Sequence, residues 1–559
     1  MDISIRIAGE AGQGIVTAGN ALTDVLAEMG LYIFGTRNYE SRIRGGVNWF
    51  DIRVGDRELF SRAEKADMLV AFSQASLEAL TDDVTEDGVI VGNGEGDPRI
   101  LQMDLEQEAK DTTGKKVMAN SVALGVIFGL LDYDVDPLCD YLKKAFKKAG
   151  DEVVEQNIQC VRRGSELAQN SEGKVAAPQP ADAPPTIYDG GTTTGMGGAT
   201  AGVKFVTGYP MTPGTAVLTY MAKVQDKYGI VVEQAEDELA AVNMVCGATY
   251  AGVPALTSTS GGGFALMCEG LSLSGMMELP ICIVIAQRPG PATGLPTRTG
   301  QQDLKFVISG GHGEFPRAVF APGTQEQAYE HTRRALEIAH KYQSPSIILI
   351  DQFLTDCQRN IPELSTEVDP IDRHILEDPA EDYVRYAPAE NGVSPRALPG
   401  SSAFVVCDSD EHNEQGHITE SMDVRMQQQD KRMEKEQGMI EDFVAPERRG
   451  PDDAETVLVT WGSTYMPARE AVDRLIEQGE SVAMVHFPQV WPLDVEAARD
   501  ALGVDGSRNA PRVISVEGNA TGQFGSVLRE QRVIDDYETM LRYDGRPFSA
   551  EEITERFNS

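Results

Sequence analysis

Apolar, strand-length runs that end in polar, glycine-rich loops recur along this chain, and that pattern leaves few folds open. In one stretch, Glu236-Asp237-Glu238-Leu239-Ala240-Ala241 opens a helix and Thr257-Ser258-Thr259-Ser260-Gly261-Gly262-Gly263 forms a loop. The strand Leu279–Ala286 then runs into Gln287-Arg288-Pro289-Gly290. Each polar cluster sits where an apolar strand gives way to a loop or helix. In open α/β sheets that edge is where ligands bind. Three clusters at successive strand ends mark a site.

The alternation extends over the whole chain and predicts an α/β protein of three domains, each a parallel sheet wrapped by helices. Residues 1–170 form the first, with strands at Asp2–Ala8, Met68–Phe72 and Val89–Val91 and helices at Ser121–Leu131 and Val153–Leu167. Residues 171–187 hold Pro178, Pro180, Pro184 and Pro185 among alanines and read as a linker. Residues 188–360 form the second domain, and 361–400 an irregular connection rich in Pro, Asp and Glu. Residues 401–559 form the third, with strands expected at Ala403–Cys407, Thr456–Thr460, Val482–Phe487 and Arg512–Glu517.

The net charge is −38, from 87 acidic and 49 basic residues spread along the 559-residue chain. Self-repulsion of that size is tolerated where salt screens it, so a halophilic protein is the simplest reading, with ordinary acidic solubility as the alternative. Such a surface disfavours nucleic acid as a partner. The apolar runs are strand-sized, too short to cross a membrane. Asp2–Ala8 enters a strand without a basic or apolar leader, and the expected location is the cytoplasm. The seven cysteines include no two within four residues, so neither a CxxC zinc site nor a ferredoxin-type cluster is encoded, and no metal is assigned to this chain.

Several clusters carry chemistry, each with a plainer alternative. Gly9-x-x-Gly12-x-Gly14 lies between strand and helix, where a helix N-terminus favours a phosphate. Its spacing is not that of a dinucleotide fingerprint, so a nicotinamide site is not expected. Arg42 and Arg44, beside Gly45-Gly46, would neutralise an anionic ligand or else sit solvated at a turn. Gly208-Tyr209-Pro210-Met211-Thr212-Pro213 stiffens a strand end and offers the Thr212 hydroxyl, or simply opens a helix. Glu238 begins a helix, where a carboxylate is often only a dipole partner. Glu233, Glu236 and Asp237 crowd the same stretch, so spacing does not choose among them. Arg288 and Arg298 bracket a Pro/Gly loop, either as a clamp for a substrate carboxylate or as loop closures. His312, flanked by glycines, is a candidate for acid–base work or a loop support.

Taken in order, these motifs resemble the 2-oxoacid:ferredoxin oxidoreductases, and among them the α subunit with a γ-type domain fused at its N-terminus. The γ-like part shows Gly9-Glu10-Ala11-Gly12-Gln13-Gly14 and Ser41-Arg42-Ile43-Arg44-Gly45-Gly46. The central part shows Gly208-Tyr209-Pro210-Met211-Thr212-Pro213, Glu236-Asp237-Glu238, Thr259-Ser260-Gly261-Gly262-Gly263 and Gly290-Pro291-Ala292-Thr293-Gly294. The distal part shows Gly416-His417-Ile418-Thr419-Glu420, Trp461-Gly462-Ser463-Thr464 and Glu517-Gly518-Asn519.

The resemblance implies a γ-type domain, a thiamine diphosphate pyrimidine-binding domain and a transketolase C-terminal-like domain. It implies CoA-dependent oxidative decarboxylation of a 2-oxoacid to an acyl-CoA and CO2, with reduction of ferredoxin. The lean is to 2-oxoglutarate. Alternatives are a pyruvate enzyme, or a non-catalytic relative acting in binding or assembly. Glu238 would hold a proton on N1′ of the aminopyrimidine, Tyr209 and Pro210 would line the cofactor, and Thr212 with Arg288 (Arg298 in reserve) would grip the substrate. Gly12, Gly14, Arg42 and Arg44 would contact coenzyme A. No Gly-Asp-Gly motif with a downstream Asn occurs, so a β subunit would supply Mg²⁺, the diphosphate contacts and a [4Fe-4S] cluster, in a heterodimer or α2β2 assembly. Thr193 and Gly300 stand where the family usually has carboxylates.

Overall fold

A computed structural model describes every residue except 40–45, 172, 174 and 505–509. The chain divides into two units, Met1–Asp189 with Asp356–Glu363 and Ser549–Glu552, and Gly190–Thr355 with Leu364–Phe548 and Ile553–Ser559.

The first unit is built on a mixed sheet. Its strand order is Ile100–Gln102, Val84–Gly92, Ala66–Ala71, Asp2–Glu10, Val47–Gly55, Tyr32–Tyr39, Gln358–Asn360 and Ile187–Asp189. The first four run parallel, and the rest pair antiparallel. This half departs from the all-parallel expectation. The ribbon Tyr32–Tyr39 with Val47–Gly55 escapes a search for apolar runs because Thr36-Arg37-Asn38 and Asp51-Ile52-Arg53 interrupt it with polar residues. Those polar groups are internally paired: buried Arg6 bonds Asp51 at 2.5 Å, and Arg53 bonds Asp2 at 2.7 Å.

The core of this unit takes in Ala119–Leu130, which is apolar all round and almost wholly buried. It packs on Asp151–Gln169 backbone to backbone. A Cβ on Gly125 would collide with the Val161 carbonyl, and one on Gly164 with the Val122 carbonyl. Because the obstacle is main chain, neither neighbour can rotate away. Gly125→Ala is therefore expected to destabilise the protein by about 1–3 kcal/mol through overpacking, outweighing the roughly 0.5–1 kcal/mol that Gly→Ala gains in an unconstrained helix. A lowered urea midpoint checks it. An unchanged or raised midpoint would show that the helices separate at little cost.

The second unit carries two mostly parallel sheets among the described residues. The first has the order Gln489–Trp491, Ala318–Phe320, Ser346–Asp351, Cys282–Gln287, Ala255–Thr259, Phe205–Gly208 and Val231–Gln234. The second runs Glu447–Arg449, Val482–Phe487, Thr456–Trp461, Arg512–Glu517 and Glu538–Leu541. Among the described residues, only the edge strands Gln489–Trp491 and Glu447–Arg449 are antiparallel. One continuous apolar core, including Phe264, Ile283, Trp461, Phe487 and Phe524, joins the two sheets.

The strand expected at Ala403–Cys407 is absent. That segment is irregular, with Phe404 85% exposed, so its apolar residues do not answer a core. A long helix, Met422–Glu441, follows instead. It buries Gln428, Lys431, Arg432 and Lys435, a polar face that hydrophobic periodicity does not reveal.

Candidate functional site

The carboxyl ends of four neighbouring parallel strands in the second unit converge. Gly208, Gln234, Thr259 and Gln287 close the strands Phe205–Gly208, Val231–Gln234, Ala255–Thr259 and Cys282–Gln287. The loop after the first of these is pressed onto the third: Ser258 Oγ donates to the Gly214 carbonyl at 3.0 Å, and Gly214 lies against the Thr259 backbone. Any side chain at Gly214 would push the Thr212 loop away.

At the start of the helix Glu238–Tyr250 the three adjacent acids separate in role. Asp237 is the N-cap, accepting the Ala240 N–H at 2.7 Å. Glu236 and Glu233 are exposed. Glu238 is 3% exposed, and its Oε1 has no hydrogen-bond partner among the described residues. It reaches the next helix, Gly261–Met277, where a Cβ on Gly263 would come within 2.6 Å of Glu238 Oε1 and would overlap Thr259 Oγ1. Gly263 is thus a cradle that only glycine leaves open.

Thr257 Oγ1, Thr259 Oγ1, Ser260 Oγ and Asp303 Oδ2 around this helix start are likewise buried without partners among the described residues. Buried polar atoms are nearly always bonded, and each unmade bond costs about 1–3 kcal/mol. Five such atoms at one helix entrance mean that the fold holds polar groups ready for something that binds there.

Arg288 reaches across to the Thr212 loop, its Nη1 donating to the Thr212 carbonyl at 2.8 Å. Burial draws its pKa below the ordinary guanidinium value, against the pull of Asp303. The structure therefore brings Thr212 and Arg288 together. Arg298 lies further along the loop, the base of its side chain close to Gly545. Tyr209 and Pro210 are exposed beside Thr212. His312 is exposed and held through its backbone N–H to Ser272 Oγ at 2.7 Å, midway along Gly261–Met277, away from that helix's start.

The loop between Arg288 and Asp303 is fastened at its base and its far end. Asp303 N–H donates to Gln287 Oε1 at 3.0 Å, and Gly290 N–H to Gln302 Oε1 at 2.9 Å. Gln301 is tied to the last sheet: its Nε2 donates to the Trp461 carbonyl at 2.8 Å, and the Gly518 N–H donates to its Oε1 at 2.7 Å. The departures from the family pattern are absorbed locally. Thr193 Oγ1 donates to the Gly190 carbonyl within its own helix, and Gly300 is buried against Pro289 and Gln302.

Asp303, Thr257, Thr259 and Ser260 join the candidate groups, although sequence reasoning gave none of them an individual role. The usable signal was the hydroxyl-rich run Thr257–Ser260 ending a strand that should be wholly apolar. Asp303 gave none, because an aspartate before a helix reads as a cap.

In the first unit, Gly12 and Gly14 both adopt left-handed backbone, with φ of 99° and 75°, and Gly14 caps the helix Ile15–Glu28 without a side chain. Arg42 and Arg44 lie outside the described residues. Among the described residues there is no group of three or more His, Cys, Asp or Glu side chains able to hold a metal ion, and no helix is long and apolar enough to cross a membrane.

Residues 197–431 match the family model described as pyruvate flavodoxin/ferredoxin oxidoreductase, thiamine diphosphate-binding, and residues 4–167 that described as pyruvate ferredoxin/flavodoxin oxidoreductase. The chain is 31% identical to a 2-oxoacid:ferredoxin oxidoreductase α subunit from Sulfolobus, over 99% of this chain and 96% of that one. It is 29% identical to the KorA subunit of a 2-oxoglutarate oxidoreductase from Mycobacterium tuberculosis, over 99% and 90%. A structure of 2-oxoglutarate:ferredoxin oxidoreductase from Magnetococcus marinus, with 2-oxoglutarate, coenzyme A and succinyl-CoA bound, superposes with a TM-score of 0.92 at 31% identity, over 100% of this chain and 99% of that chain. Matched along its full length by these relatives, the chain belongs to the 2-oxoacid:ferredoxin oxidoreductases, as an α subunit with a γ-type domain at its N-terminus.

Proposed function

We propose that this α subunit acts with a β subunit to decarboxylate 2-oxoglutarate oxidatively to its acyl-CoA, passing electrons to ferredoxin. The observation that carries the reading is the buried, unpartnered Oε1 of Glu238 over the Gly263 cradle. A carboxylate there fits an aminopyrimidine ring, whose N1′ proton it would hold. When bound, thiamine diphosphate supplies the carbanion chemistry that breaks the bond to the substrate carboxylate. Thr259 and Ser260 offer hydroxyls beside the ring, and Tyr209 and Pro210 wall the loop. Thr212 and Arg288 grip the α-oxo carboxylate, with Arg298 the second choice for the cation.

The rest of the assembly follows the same reading. Mg²⁺, the diphosphate contacts and a [4Fe-4S] cluster belong to the β subunit, in a heterodimer or α2β2 complex. Coenzyme A meets the first domain at Gly12 and Gly14, with Arg42 or Arg44 at its phosphates. We take the domains as 1–170, 188–360 and 401–559, and the setting as a salt-rich cytoplasm, given the net charge of −38.

The substrate lean draws on the 2-oxoglutarate enzymes among the relatives. Pairing a distal carboxylate with a buried cation is worth several kcal/mol. Specificity is therefore expected as a gap of roughly a hundredfold in kcat/KM between 2-oxoglutarate and pyruvate or 2-oxobutyrate, measured by CoA-dependent dye reduction on the purified α–β complex. A preference for pyruvate would overturn the substrate assignment and leave the mechanism intact. Thiamine-dependent activity absent from a cluster-loaded complex would favour a non-catalytic relative.

A further inference from the structure

Gln301 is 2% exposed and sits between the carboxyl ends of two neighbouring parallel strands of the last sheet, Thr456–Trp461 and Arg512–Glu517. Its side chain donates to the Trp461 carbonyl and accepts the Gly518 N–H. Its main chain is engaged there as well: the N–H donates to the Gly518 carbonyl at 2.8 Å, and the carbonyl accepts Asn519 Nδ2 at 3.0 Å. A Cβ on Gly462 would come within 2.8 Å of Gln301 Nε2, and one on Gly518 within 3.2 Å of its Oε1. Two glycines therefore keep open a slot for this one side chain.

The residues on either side of Gln301 carry the anchorage to Arg288. Gly300 packs on Pro289, where a Cβ would lie 3.5 Å from the Pro289 nitrogen. Gln302 Oε1 accepts the Gly290 N–H, and the Asp303 N–H is held by Gln287. Gln523 doubles the hold from the helix Gln523–Glu530. Its Nε2 donates to the Gln302 carbonyl at 2.7 Å, and its Oε1 accepts the Lys305 N–H at 2.9 Å. The backbone before and after Arg288 is thus braced by a segment that is itself fastened to the other sheet. The Arg288 side chain is only partly buried, so its aim depends on where that backbone is held.

We propose that Gln301 is a positioning residue for the substrate carboxylate, setting the aim of Arg288 from the last sheet without touching substrate. The inference rests on Arg288 as the carboxylate clamp. It gives the last sheet, which offers no group of the candidate site, a part in the reaction. A shift of about 1 Å in a positioning contact costs up to about a hundredfold, so releasing Gln301 acts on substrate binding. Glu238 hangs from a different strand end and helix, and its proton relay is left alone.

The test uses the intact α–β complex. Gln301→Met keeps the side chain's length and removes its two hydrogen bonds. It is expected to raise KM for the 2-oxoacid by roughly tenfold or more, with kcat moving far less. C2–H exchange of bound thiamine diphosphate and KM for coenzyme A should stay at their wild-type values. In an Arg288→Gln background the same substitution should add little, because two residues acting through one contact are not additive. Should Gln301→Met fail to assemble, Gln523→Met removes two bonds to the same segment and carries the same expectations. If KM is unchanged in both variants while Arg288→Gln raises it, the positioning role fails and the clamp stands. C2–H exchange slowed in step with KM, or a full further rise in KM on top of Arg288→Gln, would make Gln301 a general support of the fold and overturn the role too. If Arg288→Gln itself leaves KM unaltered, the clamp assignment fails.

Discussion

Replacing Glu238 with Gln should slow C2–H exchange of bound thiamine diphosphate by about two to four orders of magnitude, the range lost when a positioned acid–base group is removed. Assembly should survive, because the amide has nearly the volume of the carboxyl and the helix keeps its cap at Asp237. The expected stability effect runs opposite to the catalytic one. A buried carboxylate oxygen without a partner costs folding free energy, so in cofactor-free complex the variant should melt no lower than wild type. A group kept for function at the expense of stability gives that pair of results, whereas a structural carboxylate gives the reverse. Glu236→Gln is the control, since Glu236 is exposed beside the same helix. If Glu236→Gln were crippling and Glu238→Gln benign, the wrong carboxylate has been chosen.

Glu238 also shows how far the sequence reached and where it stopped. The motif narrowed the choice to Glu233, Glu236, Asp237 and Glu238, and the family resemblance picked the last. Spacing alone left them equivalent. What separates them is burial and capping, which depend on how Gly261–Met277 packs over the helix start. The parallel strands of the second unit were legible because both their faces are buried and they read as unbroken apolar runs, as in Ile347-Ile348-Leu349-Ile350. The ribbon around Val47–Gly55 was not, because Arg53 and Asp51 are buried by pairing with Asp2 and Arg6 across strands far apart in sequence.

The same physics accounts for the misplaced strand and the missed helix. Ala403-Phe404-Val405-Val406-Cys407 has strand composition, yet composition cannot report that the segment stays irregular with Phe404 turned to solvent. Met422–Glu441 is rich in Lys, Glu and Gln and reads as a solvated surface helix, while its inner face answers charges carried by residues 278 and 411. Periodicity detects apolar faces only. A charged face buried against its counter-charges is invisible until the fold brings them together.

That charged face yields the second large effect. Glu278, fully buried at the end of Gly261–Met277, receives Lys431 Nζ at 2.7 Å and Lys435 Nζ on its other oxygen. Arg385 stands over it, donating to the Glu278 carbonyl at 3.2 Å and to Gln343 Oε1 at 2.7 Å. One carboxylate therefore serves two buried ammonium groups, and the cluster is asymmetric. Burial alone would raise the Glu278 pKa, but Lys435, Lys431 and Arg385 hold it far below the carboxylate range. Lys435 is drawn down from 10.5 to about 8, burial and its neighbour Lys431 outweighing the attraction of Glu278. Glu278→Gln strands two buried cations and should cost about 3–5 kcal/mol, the usual penalty for breaking a buried pair from one side. Lys435→Met removes the surplus cation, leaves a one-to-one pair, and should change stability by no more than about 1 kcal/mol. The pH dependence carries the same signature. Below the carboxylate range the Glu278 contribution is lost as its folded-state pKa is approached. Between about pH 8 and 10.5 the unfolded chain holds a proton on Lys435 that the folded chain has released, so wild-type stability rises across that window. Lys435→Met should flatten that rise. Urea unfolding of the α–β complex at pH 7.5 and pH 9.5 measures both. Equal losses for the two substitutions would mean that Lys435 is a required partner of Glu278 and not a surplus cation beside Lys431.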